Sequence, residues 1–227
     1  MMLLSINITH ELLIAGGFTA AFGLMFFISE MIYSKLKVDA EVTRKFIHIS
    51  CGTIAMLVPI FMPSPYTIII LGCFFSILTA YMLHKGLLPS VHAVKRHSIG
   101  SVLFPLGIVA CAVFGMLDNY QCFFYIPLAN LIYSDTVAAM VGINFPIRKF
   151  SILGFNKSIG GSLGFFTSAV IIATGFLSYF KPEFGLGMCF GIGMLFGICT
   201  AIIEMISVDG WDDLSVPIGS FLLLLLI

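Results

Sequence analysis

The residues best suited to chemistry lie between Pro127 and Phe166. One acid, Asp135, stands in a segment otherwise apolar enough to cross a bilayer. A charge at membrane depth costs roughly 2.5–3.5 kcal/mol on insertion scales, so it marks a functional candidate. A basic loop with Arg148, Lys149 and Lys157 follows and ends in Asn156-Lys157-Ser158-Ile159-Gly160-Gly161-Ser162, where the next apolar segment opens. Such a turn into a helix offers backbone N–H groups to an anion. An acid able to hold a metal, beside a loop able to hold phosphate, points to phosphoryl chemistry at a membrane face. That chemistry needs cations around the phosphates, carboxylates for Mg²⁺, and a group that orients or deprotonates the attacking hydroxyl. The chain carries further groups of each kind: Arg44, Lys45 and His48 in one cluster, His97 in another, and Glu204, Asp212 and Asp213 near the C-terminus.

These groups need membrane helices to position them. The chain is 59% hydrophobic and 10% charged, with a mean hydropathy of +1.10, where a soluble domain carries about 25% charge. Apolar segments run from about Glu11 to Tyr33, Val42 to Phe61, Tyr66 to Leu83, His97 to Leu117, Gln121 to Asn144, Gly160 to Phe180 and Phe184 to Ile206. A tail from Leu214 to Ile227 is short of the ~20 residues that span a bilayer. The pattern predicts an all-α polytopic membrane protein of about seven to eight transmembrane helices, forming one domain over residues 1–227. Pro127 should bend the fifth segment or free a carbonyl within it. Arg44, Lys45 and His48 are spaced to cluster at the opening of the second. Ala138, Ala139 and Gly142 give Asp135 a small-residue face.

Ten of the eleven Lys and Arg fall in the loops after segments one, three and five; Lys181 is the exception. The positive-inside rule makes those loops cytoplasmic and puts the N-terminus outside. The acidic loop Asp209–Asp213 then lies on the same cytoplasmic face, so the basic and acidic candidates converge there, with Asp135 below them. Several classes are excluded or disfavoured. Net charge is zero, so there is no nucleic-acid footprint. The chain has neither a P-loop nor a protein-kinase signature. Six cysteines scattered through apolar segments read as buried small hydrophobes rather than metal ligands or disulfides.

Five patches, in order, resemble the CTP-dependent polyprenol kinase family, which includes phytol, dolichol and CTP-dependent diacylglycerol kinases. They are Arg44-Lys45-x-x-His48; Arg96-His97-Ser98-x-Gly100-Ser101-x-x-Phe104-Pro105; Ser134-Asp135-Thr136-x-Ala138-Ala139-x-x-Gly142; Lys157-Ser158-x-Gly160-Gly161-Ser162; and Gly210-Trp211-Asp212-Asp213-Leu214-Ser215-Val216-Pro217. They cover the chain from about Arg44 to Pro217. Two positions depart from the family pattern: Gly160 stands where many relatives have Glu, and His97 replaces an Arg. The resemblance implies transfer of the CTP γ-phosphate to the hydroxyl of a long isoprenoid alcohol, with Mg²⁺, at the cytoplasmic face of the bilayer. It implies that Arg44, Lys45 and Lys157, with Ser158 and the Gly160–Gly161–Ser162 backbone, hold the triphosphate. Asp135, with Glu204, Asp212 or Asp213, would hold the metal or activate the alcohol. His48 and His97 would contact phosphate or orient a carboxylate.

Two other readings fit fewer features. A CDP-lipid synthase would also use CTP and Mg²⁺ but release pyrophosphate, and its dense C-terminal run of charges is missing. A small transporter with Asp135 as its ion site would need a polar path to both faces, whereas the polar residues crowd one. The small-residue faces are compatible with a homodimer.

Overall fold

The computed structural model describes residues 8–61, 65–93, 98–116, 121–152 and 155–227. The architecture is an all-α bundle of membrane helices: α1 (Ile8–Leu36), α2 (Ala40–Phe61), α3 (Pro65–His84), a single turn α4 (Pro89–His92), α5 (Gly100–Met116), α6 (Gln121–Ala129), α7 (Asp135–Asn144), α8 (Ile159–Phe180), α9 (Gly185–Ile206) and α10 (Asp212–Leu224). A π-turn, Asn130–Ser134, joins α6 to α7, so Gln121–Asn144 is one continuous rod. Helices suit these sequences because a bilayer offers the backbone no water, and a helix satisfies its N–H and C=O groups internally. Among the described residues, six helices are long and apolar enough to cross a membrane. Two of the expected segments are shorter: α5 has 17 residues and α10 has 13.

The Gln121–Asn144 rod is the most buried of the six, packed among α2, α5, α8 and α10. Ile126, Leu128, Leu131 and Ile132 on it are fully enclosed. The peripheral α1 and α3 expose apolar faces instead, with Leu12, Leu13, Phe74 and Ile77 all turned outward. The rod takes the bend expected of Pro127 in a particular form. Proline has no N–H for the helix ladder, and three residues beyond it the backbone widens into the π-turn. Such turns concentrate at functional sites. The α-helix resumes at Asp135.

Two features differ from the sequence expectation. The basic loop is partly ordered as a two-stranded antiparallel hairpin, β1 (Lys149–Ile152) and β2 (Phe155–Ser158), with Lys149 opposite Ser158. Of the cysteines, Cys51, Cys111, Cys122 and Cys189 are buried as expected, but Cys73 is exposed on α3, and none of the six is in a disulfide. The loop between α3 and α5 is pinned near α4: Thr43 Oγ1 donates to the Ser90 carbonyl at 2.6 Å and Glu30 accepts from the Ser90 N–H at 3.2 Å. Glu30 thus has a structural partner. His97, Arg96 and the Asp118–Tyr120 turn lie outside the described residues.

Candidate active site

The site is built where α2, the central rod and the first turn of α10 meet. Gly52 lets α2 close on the rod, since a Cβ there would stand 2.4 Å from the Ile132 side chain. At that approach Lys45 donates to Asp135 Oδ2, forming an ion pair with both residues buried. One turn further on, His48 Nε2 donates to the Leu131 carbonyl at 3.1 Å, in the π-turn. This bond puts the proton on Nε2 and leaves Nδ1 with its lone pair when the ring is neutral. The imidazole lies between two carboxylates: Nε2 is 3.6 Å from Asp135 Oδ2 and Nδ1 is 3.7 Å from Asp213 Oδ1. Phe104 of α5 packs on the ring at 4.1 Å between centroids and fixes its plane.

Asp213 is delivered by a tight turn. Asp209 has φ 58° and Gly210 has φ 90°, a region that favours glycine. A Cβ at Gly210 would also stand 2.3 Å from the Gly100 nitrogen. The Ile99 N–H donates to the Asp209 carbonyl at 3.0 Å, so the acidic loop is docked on the start of α5. Gly100 in turn leaves room for Asp213, whose Oδ2 would be 2.5 Å from a Cβ at that position. Burial pushes the Asp213 carboxyl well above the ordinary carboxylate range, and Asp212 and Asp135 push it the same way. Burial likewise raises Asp212.

Among the described residues, Asp213 Oδ1 is buried without a hydrogen-bond partner. It belongs to a set with His48 and Asp135 whose ligand atoms all lie within 4.8 Å of one another. Two carboxylates and an imidazole form a workable donor set for a divalent cation, and Mg²⁺ would keep several waters beside them. An orphaned carboxylate oxygen therefore fits a cation here. Lys45 already holds one oxygen of Asp135, so a metal would use the other or displace the amine.

A polar cavity of about 740 Å³ opens beside this centre, bordered by Lys45, Asp135, Lys149, Asn156, Lys157, Ser162 and Asp212, with Ala139 and Gly142 on its wall. Lys157 reaches from the hairpin to α9, donating to the Glu204 carboxylate and, at 2.9 Å, to its backbone carbonyl. Ser158 caps α8, its hydroxyl accepting from the Gly161 N–H at 3.1 Å. Ile159 donates to the Ile147 carbonyl at 3.0 Å and Gly160 to the same carbonyl at 3.4 Å. Three N–H groups of the turn expected to receive phosphate thus already have protein acceptors. The Ser162 hydroxyl, by contrast, is buried at the cavity edge without a partner among the described residues.

Not all the sequence candidates gather on one side. Lys45, Asp135, Lys157, Ser158, Gly161, Ser162, Glu204 and Asp212 border the polar cavity. Arg44 does not: it bonds Glu41 at 2.7 Å and Ser98 at 3.2 Å and lies at the head of a different, apolar hollow. Gly160 is packed against the link between α7 and β1, where a Cβ would stand 2.2 Å from the Phe145 carbonyl. A glutamate there would need the backbone to move. Lys149 and Asn156, which line the cavity, were visible only as members of a basic loop. Phe104 stood in a recognised patch without a role, and the π-turn had no mark beyond Pro127.

The six spans, with a buried ionic centre beneath a polar cavity, define a polytopic integral membrane protein built around an intramembrane acid. The chain is 28% identical over 214 residues to the phytol kinase of Synechocystis, an alignment covering 92% of this chain and 90% of that protein. This similarity supports the resemblance to the phytol and polyprenol kinase family. No family model matches the chain, and no solved structure does.

Proposed function

We propose that the protein is a membrane-embedded kinase that transfers the γ-phosphate of CTP to the hydroxyl of a long-chain isoprenoid alcohol at the cytoplasmic face. The observation that carries this reading is the buried Lys45–Asp135–His48–Asp213 centre, whose Lys45 and Asp135 border a cavity large enough for a nucleotide. The end-to-end similarity to a phytol kinase supports the same chemistry, and the five family motifs support CTP as donor.

In this reading Lys45, Lys149 and Lys157 face the triphosphate with the Ser162 hydroxyl. Asp135, Asp213 and His48 are the residues that would hold Mg²⁺, and the ion would supply positive charge against the negative charge developing in transfer. The alcohol oxygen bonds to the γ-phosphorus while the bond to the bridging oxygen breaks, and CDP leaves with that electron pair. The hydroxyl proton passes to the Asp213 carboxylate, whose several lone pairs let it act as base as well as ligand.

The test is incubation of purified protein in lipid with Mg²⁺, γ-labelled CTP and a panel of prenols plus diacylglycerol, beside Asp135→Asn. The expected result is label in a lipid monophosphate, reduced at least ~100-fold in the variant. Release of pyrophosphate with the nucleotide on the lipid would instead identify a cytidylyltransferase. No transfer and no nucleotide binding would overturn both.

A further inference from the structure

On the other side of α2 from the polar cavity lies an apolar hollow between α1, α2, α3 and α5. Along α2 it is bordered by His48, Cys51, Ala55 and Val58, positions that share one helical face. At roughly 1.5 Å per residue the distance from His48 to Val58 is about 15 Å. The walls are mostly aliphatic and aromatic; Arg44, His48, Ser101 and Asp213 form a polar end, and Thr79 of α3 also borders the hollow.

That polar end has three unmet needs among the described residues. Asp213 is 5% exposed, and its Oδ1 has no donor, the Arg44 Nε–H has no acceptor and the Ser101 hydroxyl has no partner. A hydroxyl satisfies the first two, since it donates once and accepts. A carboxylate would not: it has no proton to offer to the Asp213 Oδ1. The complementary ligand is a single apolar chain ending in a hydroxyl.

We propose that this hollow seats the chain of the lipid alcohol, with its hydroxyl held by Asp213 and Arg44. The inference rests on the kinase reading above and adds the route of the second substrate. Nucleotide and alcohol reach the His48–Asp135 centre from opposite sides of α2. The hollow then selects one slender chain over a two-chain glycerolipid, and Arg44 belongs to alcohol recognition rather than to the phosphates.

The test is photocrosslinking of the wild-type protein in nanodiscs with a farnesol analogue carrying a diazirine at its far end, followed by peptide mapping. The expected adducts fall on residues 51–58 and 68–75, and are suppressed by unlabelled geranylgeraniol but not by diacylglycerol. In parallel, Ala55→Phe should raise the KM for the alcohol about tenfold or more, equivalent to 1.4 kcal/mol, with the KM for CTP unchanged. Adducts confined to α8, α9 or the polar cavity overturn the proposal, as does equal suppression by diacylglycerol. Adducts in the hollow without phosphate transfer uphold it as an alcohol site and sink the kinase reading instead. Transfer with adducts elsewhere does the reverse. The crosslink decides even where Ala55→Phe fails to fold.

Discussion

Lys45 and Asp135 neutralise one another in a place neither would occupy alone. Removing one partner of a buried pair costs about 3–5 kcal/mol, because the other charge is left uncompensated, whereas replacing both with apolar groups is often neutral. Lys45→Met should therefore unfold at markedly lower denaturant than the wild type, and Lys45→Met/Asp135→Leu should regain most of the loss; neither should transfer phosphate. Unfolding curves in detergent for the four members of this cycle measure the coupling directly. At this scale the sequence was informative about identity and less so about direction. Asp135 stood out because an acid in an apolar run is conspicuous. Arg44 and Lys45 read as a pair of phosphate ligands, yet neighbours on a helix point about 100° apart, and the structure turns one to each side of α2. Which of the two faced the acid depended on how α2 rotates against the rod, a matter of packing at Gly52 and Ile132.

At the scale of elements, the site depends on turns more than on helices. The acidic loop holds Asp213 in place only because Gly210 can adopt φ 90° against the Gly100 backbone. Forcing a side chain into such a conformation costs about 1–3 kcal/mol. Gly210→Ala should lower the melting temperature and depress kcat while leaving the KM for nucleotide nearly unchanged, since Lys45, Lys149 and Lys157 are carried on other elements; steady-state kinetics and a thermal melt check this. The helices themselves were legible because runs of apolar residues of bilayer length have few alternatives. The hairpin was not, because two four-residue strands give too brief an alternation to stand out in a glycine-containing basic loop. The departure at Gly160 was visible as a missing glutamate. Its physical meaning, a glycine against which the backbone leaving α7 packs, needed the structure.

For the whole molecule, the arrangement of charge makes a prediction about sidedness. The positive-inside rule leads us to expect the basic loops and the acidic turn on the cytoplasmic face. In a Cys73→Ser background, a charged, membrane-impermeant thiol reagent should modify Lys35→Cys only from the cytoplasmic side and Glu183→Cys only from the opposite side. Both positions are exposed in the structure. The same labelling pattern on both substitutions would overturn the topology. The convergence of loops on one face was legible from charge counting, but the division of that face into a polar cavity and an apolar hollow was not, because it arises from side-chain directions on a shared wall. That wall bears on the hardest problem for any phosphotransferase: water is itself a hydroxyl compound and far more abundant than any lipid. If the acceptor position is reached only past Cys51, Ala55 and Phe104, a hydrocarbon chain wets that passage and water does not. Idle hydrolysis of the nucleotide would then be suppressed by the same residues that admit the lipid, with no lid needed to shut the solvent out.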